Sequence, residues 1–84
     1  MSSGKPPTIK RDTPDLKALG RRLRELRGFD LTQQEFANEL GVSQSQLSKY
    51  ERGFAAPPAE ILFFVKKRFR VSIDWLLTGE GERS

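Results

Sequence analysis

Four polar residues lie within six positions of each other in the middle of the chain, and their types suit hydrogen bonding to a base or a phosphate. They are Gln44, Ser45, Ser48 and Lys49. Because an α-helix turns by about 100° per residue, a helix over this stretch would present all four on one face. Glutamine can bond adenine through two hydrogen bonds, and lysine favours guanine or a phosphate. We expect these four residues to contact DNA bases.

Capping signals on both sides of a glycine predict the two helices that would hold this face. Thr32 and Glu35 form a T-x-x-E capping box, and Ser43 and Gln46 repeat the pattern as S-x-x-Q. Gly41 lies between the two boxes, where the end of a helix needs a residue that tolerates a positive φ. The sequence therefore predicts two short helices joined by a tight turn.

Apolar residues of the same stretch fall on the sides of the two helices that would face each other. They are Phe36, Ala37, Leu40, Val42 and Leu47. Ala37 is small at a point where two helices would cross closely. A helix pair of this kind, with a polar outer face that is poor in acids, is a helix-turn-helix, which presents its second helix to the major groove.

Two segments carry a family resemblance that covers residues 19–79. LTQQEFANELGVSQSQLSKYERG at residues 31–53 resembles the helix-turn-helix of the phage repressor and Cro family, also called the xenobiotic-response-element family. VSIDWLLTGEG at residues 71–81 is similar to the last helix of that family. The resemblance implies an all-α fold, a compact five-helix bundle of the phage-repressor DNA-binding domain type with the helix-turn-helix formed by helices 2 and 3.

The same resemblance implies a structural ion pair and a brace for the second helix. Arg27 and Glu51 match the family positions of an ion pair that fixes the angle of the recognition helix. Gln33 matches a residue that contacts a phosphate and braces Gln44, although a plain surface glutamine remains an alternative. The link from Arg27 to Gln33 is one residue shorter than the common family pattern.

Further contacts to the DNA backbone are expected around the ends of the two helices. Tyr50 has two interpretations, a buried ring or a hydroxyl on a phosphate. The loop residues Phe54 and Ala55 stand where relatives often carry basic or polar residues, so we expect a shallower salt dependence here. The residues expected at phosphates are Gln33, Ser43, Gln46, Tyr50 and Arg52.

The second half of the chain offers candidates for a homodimer interface. A helix from Pro58 to about Phe69 would have its core face at Leu62, Val65 and Phe69, with Ile61 at the edge of that face. Phe63 and Phe64 would then either fill gaps or form a subunit interface. The family resemblance also implies that Ile73 and Trp75 lie beside the dimer axis. For Trp75, a position in the hydrophobic core is at least as good an alternative. The dimer candidates are Phe63, Phe64, Ile73 and Trp75.

Three segments make up the predicted domain organisation. Residues 1–13 are rich in Ser, Gly, Pro and Lys, which predicts a flexible basic arm, either a solvated tail or a contact to phosphates through Lys5, Lys10 and Arg11. Residues 14–79 form the helix-turn-helix domain, with Thr13-Pro14-Asp15 as the start of its first helix. Residues 80–84 are predicted to be a C-terminal tail.

Composition argues against other classes of protein. The chain has 84 residues, which suits one domain with a modest core. It has no Cys and no His, so we expect no metal site, no cofactor and no enzyme activity. Neither a signal peptide nor a membrane-spanning run is apparent, which predicts a cytoplasmic protein without membrane contact.

The net charge of +4 agrees with a nucleic-acid partner, but its distribution is uneven. Residues 1–28 carry eight Lys and Arg against three Asp and Glu, whereas residues 29–65 carry two against five. The main hypothesis is a sequence-specific DNA-binding transcriptional regulator, a repressor that binds a palindromic operator in double-stranded DNA as a homodimer through the major groove. The alternative is a protein-binding module, such as an antitoxin or a co-regulator, that grips a protein partner through Phe54, Phe63 and Phe64.

Overall fold

Five helices in a single series make up the part of the chain that the computed structural model describes, residues 14–84. No strand occurs within that range, in agreement with the predicted all-α fold. The expected basic arm at residues 1–13 lies outside the described residues. The helices are α1 Leu16–Arg27, α2 Gln33–Leu40, α3 Gln44–Glu51, α4 Ala59–Phe69 and α5 Ile73–Thr78.

Helix α1 begins later than the sequence predicted. Its N-cap is Asp15, whose carboxylate accepts a hydrogen bond from the Ala18 N–H at 3.1 Å, and Pro14 lies before the helix. The predicted start at Thr13-Pro14-Asp15 was therefore wrong in register, because Asp15 itself satisfies a free N–H of the first turn. The helix ends at Gly28, which has a φ of 61°.

Helices α2 and α3 begin at the predicted caps. Thr32 and Glu35 form the complete capping box, and the Ser43 hydroxyl accepts from the Gln46 N–H at 3.0 Å. Gly41 adopts the left-handed conformation at φ 75°, and its N–H bonds back to the last turn of α2. These local bonds fix the short turn between the two helices, so the position of α3 follows from α2.

A single hydrophobic core lies between the helices. The Phe36 and Phe69 rings meet edge to face with centroids 5.7 Å apart. On α4 the expectation was wrong: Ile61, predicted at the edge, is buried, whereas Leu62 and Phe69 are only partly buried. The buried core residues are Leu19, Leu23, Leu26, Phe36, Ala37, Leu40, Leu47, Tyr50, Ile61, Val65, Val71 and Leu76.

The last residues of the chain return to α5. The Ser72 N–H donates to the Arg83 carbonyl at 2.6 Å, and the Ser72 hydroxyl donates to the Glu82 carbonyl at 2.9 Å. The Arg83 guanidinium stacks on the Trp75 ring at 4.9 Å. Residues that we expected to form a tail are thus bonded to the N-cap of α5.

Gly20 allows α1 to approach the end of α3. A Cβ atom built on Gly20 would lie 2.6 Å from the Tyr50 carbonyl oxygen and 2.7 Å from the Glu51 carbonyl carbon. Both are backbone atoms, which no change of rotamer can move away. The distance between α1 and α3 therefore depends on the absence of a side chain at this position.

We predict that Gly20→Ala lowers the free energy of unfolding by about 2 kcal/mol, since an added methyl group forces the backbone apart. Urea denaturation followed by circular dichroism measures this change. Gly81→Ala serves as a comparison without a steric clash, because no atom lies within 4 Å of the added Cβ. Its φ of 80° means that this variant reports the cost of backbone strain alone. An unchanged stability of Gly20→Ala would contradict the close approach of α1 and α3.

Candidate nucleic-acid interface

Helix α3 has one side in the core and one side in solvent. Leu47, Tyr50 and Glu51 are buried, which fixes the rotation of the helix. Gln44, Ser45 and Lys49 are exposed and Ser48 is half-buried. The four residues expected at DNA bases thus share the outer face of α3, because their positions span an arc of about 140° around the helix axis.

A bidentate ion pair anchors the C-terminal end of α3 to α1. Arg27 Nε donates to Glu51 Oε2 at 2.8 Å, and Arg27 Nη2 donates to Glu51 Oε1 at 3.0 Å. The side chains of Arg27 and Glu51 are only 16% and 3% exposed. Paired donors and acceptors in a fixed fork define direction as well as distance. This pair is therefore well suited to set the angle of α3.

Glu51 is also the first link of a hydrogen-bonded chain that ends at the outer face. Gln33 Nε2 donates to Glu51 Oε1 at 3.0 Å, and Gln44 Nε2 donates to Gln33 Oε1 at 3.3 Å. The carboxylate can only accept, so it orients the Gln33 amide with its oxygen toward Gln44. Gln44 keeps its own carbonyl oxygen and a second N–H available.

The residues expected at phosphates differ in how far they reach the surface. Ser43 and Arg52 are exposed, and Gln33 and Gln46 are half-buried. Tyr50 is only 6% exposed, which favours the buried ring of its two interpretations. Four of the five expected side chains thus lie at or near the surface around α3.

The loop after α3 contains an interaction that the sequence reasoning missed. The Arg52 guanidinium carbon lies 4.5 Å from the centre of the Phe54 ring, and both residues are exposed. From the sequence, Phe54 was expected only as an uncharged loop residue or as a contact to a protein partner. The signal that could have found the contact is an Arg at the helix end followed by Gly and an aromatic residue, because that spacing turns the chain back toward the helix.

The expected dimer residues are unequally exposed. Phe63 and Phe64 on α4 are exposed, whereas Ile73 and Trp75 on α5 are half-buried. Phe64 lines a groove of about 410 Å³ between α4 and the turn after α2, and Phe63 points elsewhere because consecutive residues differ by about 100°. Phe29 was not singled out from the sequence, and it is fully exposed in the loop between α1 and α2.

Residues 14–84 do not support other kinds of site. In that range no group of three or more Cys, Asp or Glu side chains could hold a metal ion. None of its helices combines the length and the apolar character needed to cross a membrane. The exposed face of α3 is thus the strongest candidate site among the described residues.

Proteins that are similar in sequence agree with the interpretation as a helix-turn-helix. The family model described as helix-turn-helix matches residues 21–76. The transcriptional activator BcrR of Enterococcus faecalis is 45% identical over 60 residues, which are 70% of this chain and 29% of that protein. Antitoxin PezA of Streptococcus pneumoniae is 38% identical over 55 residues, 64% of this chain and 35% of that protein. The chain thus spans about a third of the length of these relatives.

Solved structures resemble the fold as well. The P22 c2 repressor protein, in a crystal structure with a synthetic operator, superimposes with a TM-score of 0.66 at 32% identity, covering 74% of this chain and 96% of that one. Five helices with a helix-turn-helix at α2 and α3 define the class of phage-repressor DNA-binding domains. The chain belongs to the helix-turn-helix family of DNA-binding transcription regulators.

Proposed function

We propose that the chain is the sequence-specific DNA-binding part of a cytoplasmic transcriptional repressor, without a catalytic step or a cofactor. It binds a palindromic operator as a homodimer, and α3 of each subunit enters the major groove. The observation that carries this proposal is the exposed polar face of α3, whose first residue, Gln44, is held by Gln33. A braced side chain loses less conformational entropy when it bonds a base.

Gln44 is the residue with the clearest base preference. Its carbonyl oxygen can accept from adenine N6–H and its remaining N–H can donate to adenine N7, which is the bidentate pattern for this base. The bond to Gln33 leaves both groups available. Ser45 and Ser48 are short enough to adapt to a base edge, and Lys49 favours guanine.

Contacts to phosphates fix the register of the protein on the duplex. We assign them to exposed or half-buried polar groups at the ends of α2 and α3, where helix N-termini also favour negative charge. Tyr50 is left out of the set because of its burial. The assigned residues are Gln33, Ser43, Gln46 and Arg52.

Selection of duplexes from a random-sequence DNA library with the purified chain tests the proposal. We expect a two-fold symmetric motif with half-site centres about one helical turn, or ~34 Å, apart. An adenine at one fixed position of each half-site would support the role of Gln44, and Gln44→Ala should relax the preference at that position alone. Failure to enrich any sequence would contradict the proposed function.

The homodimer is proposed to form through α4 and α5, with Phe63 and Phe64 as the main contacts and the exposed parts of Ile73 and Trp75 beside them. Buried aromatic residues commonly dominate the energetics of an interface. Operator symmetry is satisfied most simply by two copies of one chain.

We predict that Phe63→Ser with Phe64→Ser raises the dissociation constant of the dimer about thirtyfold or more, the change that ~2 kcal/mol gives. Sedimentation equilibrium of the free protein measures it. Phe29→Ser removes a more exposed ring from the loop between α1 and α2 and should leave association unchanged. A wild-type chain that stays monomeric on the operator would contradict this interface.

A second candidate function is a protein-binding module. The exposed rings of Phe54, Phe63 and Phe64 favour it, since exposed aromatic residues often mark partner surfaces. One relative is named an antitoxin, which adds to this candidate. Pull-down from the native host separates the two: a stoichiometric protein partner without any selected DNA motif would support the module, and a motif without a partner would support the regulator.

A further inference from the structure

We infer that Phe54 is a positioning residue that holds the Arg52 guanidinium ready for a phosphate beside the outer face of α3. The inference rests on the proposed DNA binding and deepens it. The Phe54 ring has no group that could hydrogen-bond a phosphate, so its role would be exerted through Arg52.

Arg52 extends the outer face of α3. It follows Gln44 by eight residues, or two helical turns and about 80°, which is inside the arc that Gln44 and Lys49 define. Its backbone keeps helical angles as the C-cap, with φ −91° and ψ −3°. A duplex that contacts Gln44 and Lys49 therefore passes close to Arg52.

The backbone after α3 fixes where the Phe54 ring can lie. The Phe54 N–H donates to the Lys49 carbonyl at 2.8 Å, and the Gly53 N–H donates to the Tyr50 carbonyl at 3.2 Å. Together with φ 78° at Gly53, these bonds form a Schellman motif, which turns the chain back over the helix end. A Cβ on Gly53 would lie 2.8 Å from Lys17 Cα, so α1 holds the motif from behind.

The stack of Arg52 on Phe54 differs from the other cation–π pairs with an arginine in residues 14–84. Arg68 lies on Phe69 but is paired with Glu39, and Arg83 lies on Trp75 but is 3.6 Å from Glu25. Arg52 takes part in none of the ion pairs of the described range. Its stacked arrangement therefore keeps the full charge available to an external anion.

Stacking also leaves the hydrogen-bonding groups of Arg52 free. The guanidinium carbon lies 4.5 Å from the ring centre, whereas the N–H groups lie at the edge of the planar guanidinium and can form a bidentate pair with a phosphate. Holding the plane in advance reduces the side-chain entropy lost on binding. Phe54 is 63% exposed, and packing in the core does not account for such a position.

The test is a double-mutant cycle of Arg52→Ala and Phe54→Ala on the duplex recovered by selection, with affinity measured at several salt concentrations. Arg52→Ala should weaken binding about tenfold and reduce the salt slope by roughly one, because one phosphate contact is lost. Phe54→Ala alone should weaken binding roughly two- to fivefold, the factor expected for an exposed cation–π pair. In the Arg52→Ala background, Phe54→Ala should have no further effect.

Two further variants separate the stack from simple bulk. Phe54→Tyr retains an aromatic face and should bind as the wild type does, whereas Phe54→Leu retains apolar volume and should behave as Phe54→Ala. Thermal unfolding of each variant checks that the fold persists. In the free protein, the NMR signal of Arg52 Nε–H should show a ring-current shift that is lost in Phe54→Leu.

Equal effects of Phe54→Ala in the wild-type and Arg52→Ala backgrounds would overturn the positioning role while leaving DNA binding intact. So would wild-type affinity in Phe54→Leu. If the wild-type chain enriches no duplex at all, the proposed function fails first and the positioning role fails with it. The ring-current shift would then report only on the stack.

Discussion

Replacing Gln44, Ser45 and Lys49 together by Ala is expected to lower affinity for the selected operator by at least about a hundredfold. Each good bidentate contact to a base contributes about 1–3 kcal/mol of discrimination, and the loss of two of them corresponds to roughly 3 kcal/mol. All three side chains are exposed, so the variant should fold normally. Gel-shift titration of the operator and of an unrelated duplex measures the change.

The informative quantity is the ratio between specific and non-specific binding. We expect the triple variant to bind the unrelated duplex only slightly less well, because it loses a single positive charge. Asn38→Ala with Lys66→Ala removes an exposed amide and one charge from α2 and α4, and should leave the ratio unchanged. Unaltered operator affinity of the triple variant would exclude α3 as the base-contacting helix.

The second large effect is expected at the ion pair that fixes α3. Arg27→Met should lower the free energy of unfolding by about 3–5 kcal/mol, since removal of one partner leaves a buried charge without compensation. Glu51 would keep only the bond from Gln33. Urea denaturation measures the loss, and operator affinity should fall as well because the bidentate pair no longer sets the angle of α3.

The chain offers a matched control for this prediction. Arg68 and Glu39 form an equally short ion pair at 2.9 Å, but their side chains are 42% and 31% exposed. Arg68→Met should therefore change stability by no more than about 1 kcal/mol. The double variant Arg27→Met with Glu51→Leu should recover most of the loss, because it removes both buried charges. Equal losses in Arg27→Met and Arg68→Met would show that burial of the first pair is unimportant.

Signals that act over a few residues allowed much of the fold to be predicted. The Thr32 capping box, the Ser43 cap and Gly41 each bond within one turn of their own helix, so their effect is independent of the rest of the molecule. These signals defined the helix-turn-helix and the outward face of α3.

Prediction from the sequence failed where two helix caps or two buried helix faces were equally favourable. Asp15 and Thr13 are both good N-caps, and the consecutive apolar residues of α4 allow more than one buried stripe. The assembled core buries Val65 as predicted, but it buries Ile61 rather than Leu62 and Phe69. Neighbours far away in the chain made that choice, and the composition of α4 contains no information about them.

By itself, the sequence of this chain determined the two helices of the helix-turn-helix, the caps at which α2 and α3 begin, and the polar character of the surface that we propose to contact DNA, because each depends on contacts within about one helical turn. The tertiary structure alone decided how close α1 lies to α3 at Gly20, that Glu51 bonds Gln33 as well as Arg27, and that Arg52 rests on Phe54. Those contacts join side chains and backbone whose distances follow only from the assembled bundle. Burial then sets how much the Arg27–Glu51 ion pair contributes to stability, since the same ion pair stabilises differently in the core and in water.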